Sequence, residues 1–302
     1  MQYDILVIGA GISGATLAHL YATKQQKKVL VIEKRDHIGG NCYDYENEYG
    51  IRISKYGAHL FHTNYEDVWE YVQQFSTWYP YEHKVLAKVD GKLVPVPVNI
   101  TTVNLLLGTR IQNEEEMKAW LSKNQIPCEH PQNSEEAALA RVGKVLYEKI
   151  FKNYTKKQWD KDPSELDPEV LQRIPVRDNF DDRYFSDKYQ YLPTDGYTKI
   201  FANMLNHPHI TVLLNTDFLK VKDQYTDYEK LFYTGPIDQF FNEKMDKLEY
   251  RSLEFVHETY DKEYFQPNGV INYPNEEKYT RIVEYKHFTK QKNPKTTIVK
   301  EY

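Results

Sequence analysis

The sequence predicts an α/β fold in which a parallel sheet at the N-terminus is combined with an inserted helical domain and an antiparallel β-sheet domain. Three observations support this prediction. A strand–helix–strand pattern opens the chain, a strong hairpin signal lies at Asp90-Gly91, and a long helical stretch separates that hairpin from later short strands. The 302 residues suffice for about two domains.

The opening of the chain predicts a βαβ unit. Residues 3–8 (Y-D-I-L-V-I) and 29–32 (V-L-V-I) are short apolar runs typical of buried strands. Residues 12–23, between them, have the spacing of a helix. A strand, a helix and a strand in this order imply a parallel sheet.

Glycines follow the first strand in the pattern G-x-G-x-x-G. Gly9 permits a tight turn, Gly11 lets the backbone approach a pyrophosphate, and Gly14 lets helix and strand pack closely. Glu33, at the end of the second strand, can accept hydrogen bonds from an adenosine ribose, although a solvated strand end is the alternative. The pattern predicts a Rossmann-like dinucleotide site rather than a purely structural turn. It leaves open whether the dinucleotide carries nicotinamide or flavin.

The elements after residue 80 change in character. Residues 85–98 alternate around Asp90-Gly91, which predicts a hairpin. Residues 101–173 are mainly helical, with helix starts indicated by capping side chains at Asn113 and at Asn133 or Ser134. The remaining predicted elements are a helix and then four strands, at residues 197–205, 211–214, 231–234, 248–260 and 270–273.

Composition and charge argue against several classes of protein. The net charge is −5 without a long basic run, so we expect no nucleic-acid partner. The two cysteines match neither a disulfide framework nor a zinc pattern and favour a reducing, cytoplasmic setting without a metal. Neither a signal segment nor an apolar run of membrane-spanning length is evident, so we expect no membrane partner. The 26 tyrosines favour a polar ligand with flat or sugar-like faces.

A second glycine pair, Gly39-Gly40, follows Glu33 within the stretch E-K-R-D-H-I-G-G-N. Glycines at this point remove side chains where the backbone must pass a bulky ligand, although an ordinary glycine turn is the alternative. Flavoproteins that contain two dinucleotide-binding domains resemble this arrangement. The second pair therefore favours flavin over nicotinamide.

The chain as a whole resembles the UDP-galactopyranose mutase family of flavoenzymes. The matching stretches occur in family order along the whole chain, and the later ones are more specific than the first. They are G-A-G-I-S-G (9–14), E-K-R-D-H-I-G-G-N (33–41), K-Y-G-A-H-L-F-H-T (55–63), Y-T-K-K-Q-W (154–159), R-I-P-V-R (173–177), Y-T-G-P-I-D-Q-F-F (233–241), L-E-Y-R-S-L (248–253) and Y-T-R-I-V-E-Y-K-H-F (279–288).

The resemblance implies an isomerase of cell-surface glycan biosynthesis that interconverts UDP-galactopyranose and UDP-galactofuranose. The family uses reduced FAD, whose N5 attacks the anomeric carbon, and no net redox occurs. The implied fold is a Rossmann-like FAD-binding domain with an inserted helical domain and an antiparallel sheet domain. The predicted boundaries are 1–83 with about 190–218 and 229–242 for the FAD domain, 84–98 with 219–228 and 243–302 for the sheet domain, and 99–189 for the helical substrate domain.

Several aromatic residues are implied to bind the substrate. Residues 151–159 (F-K-N-Y-T-K-K-Q-W) are too polar for a core segment and too aromatic for a solvated face. By resemblance, Tyr154 and Trp159 offer a surface to uracil, and Thr155 offers a hydroxyl to a ribose or phosphate oxygen. The alternative is an amphipathic helix with its aromatics in the core. Tyr184 is implied to donate to a phosphate oxygen, with pure packing as the alternative.

Arginines are implied to bind the diphosphate. By resemblance, Arg173 and Arg281 grip the phosphate oxygens and neutralise the leaving UDP, which makes both of them catalytic candidates. Structural salt bridges are the alternative for these two residues. The resemblance implies no phosphate-binding role for Arg177, and we expect it to pair with Asp181 or Asp182.

The resemblance also implies residues around the flavin. His59 and Leu60 touch the cofactor by backbone, and His62 lies near the isoalloxazine ring as a third catalytic candidate, with a structural histidine as the alternative. His83, where some family members have asparagine, and Asn272 are implied to contact the substrate. The implied cofactor-binding residues are Gly9, Gly11, Ser13, Gly14, Glu33, Lys34, Gly40, Asn41, His59, Leu60, Asp217 and Phe218.

Family members continue past the position of Tyr302, in a segment that closes over the FAD pyrophosphate and carries further active-site residues. The resemblance therefore leaves open a truncated chain with a weakened cofactor site, or a partner chain that supplies the missing element. Two other functions stay open, namely an FAD-dependent oxidoreductase of the amine-oxidase type and a non-catalytic remnant that binds UDP-sugar and FAD. The sequence does not decide the oligomeric state, and a homodimer is compatible with it.

Overall fold

The computed structural model describes residues 2–302, which form two compact units. Unit 1 consists of the residues up to Pro80 together with Lys188–Tyr250. Unit 2 consists of Tyr81–Asp187 together with Arg251–Tyr302. None of the helices in the described chain has the length and apolarity that a membrane crossing requires.

Short strands and helices alternate along the chain. The strands are β1 (Ile5–Ile8), β2 (Val29–Ile32), β3 (Asp44–Glu46), β4 (Arg52–Ser54), β5 (Phe61–Thr63), β6 (Trp78–Pro80), β7 (Val85–Val89), β8 (Lys92–Val96), β9 (Tyr189–Pro193), β10 (Ile210–Leu213), β11 (Lys230–Tyr233), β12 (Phe255–Tyr260), β13 (Val270–Asn272), β14 (Arg281–Glu284) and β15 (Thr296–Glu301). The α-helices are α1 (Ile12–Lys24), α2 (Glu66–Gln73), α3 (Ile100–Leu107), α4 (Glu114–Asn124), α5 (Ser134–Leu146), α6 (Asn153–Trp159), α7 (Glu169–Gln172), α8 (Tyr197–Leu205), α9 (Phe218–Val221), α10 (Ile237–Phe240) and α11 (Lys286–Thr289). A π-helical turn, Tyr147–Lys152, joins α5 to α6.

Unit 1 is built on a four-stranded parallel sheet with the order β10–β2–β1–β11. Every residue of β1 and β2 is buried, as expected for parallel strands that are covered on both faces. On one face, Val7 and Val31 pack with the alanines of α1 and with Phe201 of α8. On the other face, Ile8 and Phe218 belong to a second apolar cluster. The predicted βαβ opening is confirmed.

Unit 2 is built on a six-stranded sheet with the order β12–β15–β14–β13–β7–β8. Its pairs are antiparallel except for β13 with β7, which run parallel. The predicted hairpin is confirmed, because β7 and β8 are joined at Asp90 and Gly91, both with positive φ (50° and 74°). Ile271, Ile282 and Ile298 form the core of one face.

Side-chain caps define the helices of unit 2 as predicted. The side chain of Asn113 accepts a hydrogen bond from the backbone N–H of Glu116 at the start of α4. Asn133 accepts one in the same way from Glu136 at the start of α5. Asn133, rather than Ser134, is therefore the N-cap.

Two segments lie elsewhere than predicted. The prediction groups residues 219–228 with the antiparallel sheet, but Leu219 and Tyr225 pack on the apolar cluster of unit 1. The predicted strand 248–260 begins only at Phe255, the first of its residues that the ladder with β15 includes. Unit 2 contains both the helical segment and the antiparallel sheet.

Candidate functional site

Unit 1 contains a cavity of about 800 Å³ at the carboxyl ends of its four parallel strands. Each strand contributes a residue that follows it, and these residues are Gly9, Glu33, Thr216 and Thr234. Open α/β sheets bind their ligands at this edge, at the point where the strand order reverses. The predicted cofactor residues that line the cavity are Gly9, Gly11, Ser13, Glu33, Lys34, Gly40, Asn41, His59, Asp217 and Phe218.

The two predicted glycine loops approach each other at this cavity. A Cβ on Gly40 would lie 2.8 Å from the Cα of Gly11, so Gly40 has no room for a side chain, whereas a Cβ on Gly11 would lie 3.6 Å from the Cα of Gly40, an ordinary contact. A Cβ on Gly14 would lie 1.9 Å from the carbonyl oxygen of Gly9, whose φ of +103° favours glycine. Gly14 does not line the cavity, and its role is close packing of helix on turn.

Helix α1 begins beside the cavity without a capping side chain. Its N-cap is Gly11, and within the described residues neither a side-chain cap nor an acidic residue is found in the first turn. The N–H groups of that turn are therefore left for another partner, and the helix dipole favours an anion. Since Gly11 and Ser13 both line the cavity, the residues present fit the pyrophosphate of a dinucleotide.

Glu33 is buried rather than solvated, so the alternative of an exposed strand end is wrong. It is 7% exposed, and its two carboxylate oxygens accept hydrogen bonds of 2.8 Å from the backbone N–H groups of Ala10 and Arg35. Each oxygen keeps a second lone pair. The carboxylate therefore orders the glycine turn and can still accept a hydrogen bond from a ribose hydroxyl.

The far side of the cavity contains residues that the sequence analysis assigned and others that it missed. Nζ of Lys34 lies 3.2 Å from Oδ2 of Asp217, and Asp217 caps α9 by accepting from the backbone N–H of Leu219. Thr216 and Thr234 line the cavity and were not predicted. The sequence could have indicated these two threonines, because each follows a strand of the parallel sheet and the carboxyl ends of those strands share one edge.

The predicted flavin loop is only partly at the cavity. His59 lines it, and its Nδ1 lies 3.0 Å from the carbonyl oxygen of Gly57. Leu60 and His62 are not among the residues that line it in the described chain. His62 is exposed on β5, opposite Gln190 of β9. The flavin roles of these residues stay predictions.

Unit 2 gathers predicted substrate residues around Tyr154. Burial raises the pKa of the Tyr154 phenol, and Glu301 and Tyr184 add to the rise. Arg281 and Arg173 oppose it. These side chains therefore lie within electrostatic reach of Tyr154. Two guanidinium groups and two phenols are a set of donors that suits a diphosphate.

Arg281 is paired with a carboxylate that sequence reasoning missed. Its Nε donates to Oε2 of Glu301 at 2.5 Å. Glu301 is 1% exposed, whereas Arg281 is 34% exposed. Burial tends to lower the pKa of Arg281, but Tyr154 and Glu301 raise it above its ordinary value. No local sequence signal points to this pair, because it depends on the register of β14 with β15.

Arg173 contrasts with Arg281 because no carboxylate holds it. It is exposed, and its Nε donates to the carbonyl oxygen of Val170 at 3.3 Å. In residues 2–302 no ion pair involves it, so the salt-bridge alternative is not realised for Arg173. Trp159, which is 36% exposed, lines a depression of about 570 Å³ together with Arg173 and Val170.

The remaining substrate candidates lie near these groups. Thr155 is buried on α6. The backbone N–H of Tyr184 donates to the carbonyl oxygen of His83 at 2.7 Å, and the two rings lie 5.7 Å apart. Asn272 is the cross-strand neighbour of Arg281 in the ladder of β13 with β14. Their contacts with a substrate stay predictions.

Two further cations of unit 2 have structural partners. Nη1 of Arg177 hydrogen-bonds Oδ2 of Asp181, which confirms the predicted pairing. Nζ of Lys157, on α6, donates to the carbonyl oxygens of Tyr273, Glu277 and Tyr279. Lys157 therefore ties α6 to the segment between β13 and β14, a role that the sequence analysis did not assign.

Two family models match separate parts of the chain. A family model described as UDP-galactopyranose mutase matches residues 149–302. A model described as an NAD(P)-binding Rossmann-like domain matches residues 7–75.

Individual relatives match nearly the full chain. The dTDP-fucopyranose mutase of Escherichia coli is 40% identical over 98% of this chain and 80% of its own length. A probable UDP-galactopyranose mutase of Klebsiella pneumoniae is 40% identical over 95% of this chain and 74% of its own length. Among solved structures, a reduced UDP-galactopyranose mutase has a TM-score of 0.75 at 17% identity, over 99% of this chain and 74% of that one. The structural likeness supports the fold, and the sequence identities carry the relationship.

Proposed function

Because this chain belongs to the UDP-galactopyranose mutase family, we propose that it interconverts UDP-galactopyranose and UDP-galactofuranose without net redox. The family resemblance of its motifs is confirmed, and the chain is an enzyme of the isomerase class. The observation that supports a nucleotide-diphosphate sugar as the substrate is the cluster around Tyr154, whose phenol lies within electrostatic reach of Arg281, Arg173 and Tyr184. That cluster offers positive charge and hydroxyl donors to a diphosphate.

The two arginines have different parts in the proposed reaction. Arg173 has no carboxylate partner in the described chain and brings a full positive charge to the diphosphate. Arg281 keeps its Nη1 and Nη2 groups for phosphate oxygens, since its Nε is bonded to Glu301. Both charges stabilise the leaving UDP as negative charge develops on it.

Aromatic side chains complete the proposed nucleotide site. Burial raises the pKa of Tyr154, so its phenol stays protonated at neutral pH and can donate to a phosphate oxygen. The exposed ring of Trp159, at the other end of α6, offers a stacking surface to the base. The base and the diphosphate would thus be bound by one short helix and its neighbours.

FAD is the cofactor, and unit 1 supplies its site. The free first turn of α1 and the bare Gly11–Gly40 contact suit the pyrophosphate, and Glu33 suits the ribose. When bound in its reduced form, FAD would supply a nucleophile, its N5, for the anomeric carbon. The residues of this chain hold the cofactor and the nucleotide and stabilise the leaving group.

A second candidate substrate is dTDP-fucopyranose, because the relative of that name is as similar to this chain as the galactopyranose relative is, at 40% identity each. The two substrates share the diphosphate and the ring contraction. They differ in the base methyl group, in the ribose 2′-hydroxyl and in the hydroxyl on C6 of the sugar. The diphosphate cluster serves either substrate equally well.

The test is a turnover assay on the purified chain. The visible spectrum reports bound flavin, and dithionite then reduces it before UDP-galactopyranose or dTDP-fucopyranose is added in separate reactions. We expect the furanose product from the galactose substrate, only after reduction, with the higher kcat/KM for that substrate. A higher kcat/KM for the fucose substrate would favour the second candidate.

Two other outcomes would contradict both candidates. Substrate-dependent bleaching of oxidised flavin with a net oxidised product would indicate an oxidoreductase of the amine-oxidase type. UDP binding without furanose product, in a flavin-loaded and reduced sample, would indicate a non-catalytic remnant.

A further inference from the structure

We propose that Glu301 is a positioning residue for Arg281, holding the Nε edge of the guanidinium so that its Nη1 and Nη2 groups face the diphosphate. The inference rests on the proposed binding of a UDP-sugar at Arg281. It assigns a function to a buried carboxylate that otherwise has no evident place in an anion-binding site.

The sheet of unit 2 places Glu301 in a row of polar side chains. Arg281 of β14 lies directly opposite Glu301 of β15, and Asn272 of β13 lies directly opposite Arg281 on its other side. Directly opposite residues of antiparallel strands point to the same face of a sheet. The three side chains therefore lie side by side on three adjacent strands.

The burial of Glu301 makes Arg281 its necessary partner. The carboxylate is 1% exposed, and its only side-chain hydrogen bond in the described chain is the 2.5 Å bond from Nε of Arg281 to Oε2. Its Oε1 is buried without a hydrogen-bond partner among the described residues. A buried carboxylate is costly unless it is paired, so Glu301 constrains the guanidinium strongly.

The bond leaves the binding edge of Arg281 intact. Because Glu301 uses only Nε, the Nη1 and Nη2 groups make no other hydrogen bond within the described chain. A guanidinium fixed in advance loses less side-chain entropy when it binds a phosphate. Glu301 lies out of solvent, whereas Arg281 is 34% exposed, so the arginine is the member of the pair that a ligand can reach.

The test measures UDP binding by calorimetry in four variants beside the unsubstituted chain. We expect Glu301→Ala to weaken UDP binding by about tenfold, the effect of losing one charge-assisted hydrogen bond. Glu301→Gln should stay within about threefold, because its amide oxygen can accept the same Nε–H bond. In the Arg281→Ala background, adding Glu301→Ala should change UDP affinity no further.

A matched control separates positioning from stability. Glu258→Ala removes another carboxylate of the same sheet. Glu258 on β12 pairs with Lys300 on β15 and has no hydrogen bond or ion pair with Arg281 in the described chain. This substitution should leave UDP affinity unchanged, and melting temperatures of all variants show which of them are folded. Glu301→Gln preserves side-chain volume, so it remains informative where Glu301→Ala unfolds.

Three results would overturn the inference. They are unchanged UDP affinity in Glu301→Ala, equal loss in folded Glu301→Gln and Glu301→Ala, or a further loss when Glu301→Ala is added to Arg281→Ala. A flat titration of the unsubstituted chain would instead overturn the proposed function, and this inference with it, so the two failures are distinguishable.

Discussion

The two candidate sites of this chain are built by different means. In unit 1, the cofactor cavity is formed mainly by backbone, with free N–H groups at the start of α1 and glycines that leave the chain bare. In unit 2, the diphosphate cluster is formed by side chains from separate elements, and one of its two arginines is paired with a buried carboxylate. The cofactor cavity depends on positions that carry no side chain, whereas the diphosphate cluster depends on the pairing of Arg281 with Glu301. Substitutions should therefore damage the two sites in different ways.

The largest effect is expected at the paired arginine, where Arg281→Ala should cost both binding and stability. Removing the guanidinium leaves the carboxylate of Glu301 buried and unpaired, which should cost about 3 kcal/mol of unfolding free energy. UDP affinity should fall at the same time. Urea unfolding and UDP calorimetry on the same samples would show both losses.

Arg173→Ala is the matched control for that prediction. Arg173 is exposed and has no ion-pair partner in the described chain, so UDP affinity should fall while the free energy of unfolding stays within about 0.5 kcal/mol. Equal stability losses in the two variants would show that pairing does not distinguish the two arginines.

The glycines of unit 1 should separate folding from cofactor binding. In Gly14→Ala the new Cβ would lie 1.9 Å from the carbonyl oxygen of Gly9, so the turn must shift, at a cost of about 2–3 kcal/mol. In Gly11→Ala the nearest atom lies at 3.6 Å, an ordinary contact, so the free chain should remain stable while FAD binding is lost. Flavin absorbance after gel filtration and urea unfolding of the flavin-free protein measure the two effects.

Gly50→Ala controls for the change of residue type. It has a φ of +70°, no atom within 4 Å of a new Cβ and no part in the cavity. It should cost about 1 kcal/mol from its backbone conformation alone and retain FAD. Loss of FAD in this variant would show that the assay reports general destabilisation of the chain rather than damage to the cofactor cavity.

The same contrast explains what the sequence could predict. The dinucleotide cavity was predictable because Gly9, Gly11, Gly14 and Glu33 are close in sequence and each has a local physical reason. The partner of Arg281 was not predictable, because Glu301 reaches it only through the register of two strands that are separated by α11. Arg177 and its partner Asp181 were predictable, since they are four residues apart.

Substitution of Lys157 tests whether this cation stabilises α6 by its hydrogen bonds to backbone carbonyl oxygens. Lys157→Met keeps the length of the side chain but leaves the carbonyl oxygens of Glu277 and Tyr279 without the donor that lies 3.0 and 3.1 Å away. We expect a loss of about 1–2 kcal/mol in unfolding free energy. Lys156→Met removes only an exposed pair with Asp162 and should cost less than about 0.5 kcal/mol. Equal losses would exclude a special role for Lys157.

The smallest expected effect is a pH dependence of the unfolding free energy that arises from the ion pairs of Asp181 with Arg177 and Arg183. A hydrogen bond from Arg183, with Arg177 nearby, lowers the pKa of Asp181 from 3.8 to about 2. A carboxylate whose pKa is lower in the folded chain stabilises it above its unfolded pKa, and that contribution is lost as the pH falls from about 4 to about 2. Because the side chain is 25% exposed, the contribution should be on the order of 1 kcal/mol.

The difference in unfolding free energy between the unsubstituted chain and Asp181→Asn should therefore shrink when urea unfolding is moved from pH 6 to pH 2.5. Asp182→Asn, which removes an exposed partner of Lys84, should show a small difference at both pH values. A difference for Asp181→Asn that grows toward low pH would have the wrong sign for a charged Asp181 and would exclude this network as a source of stability in unit 2.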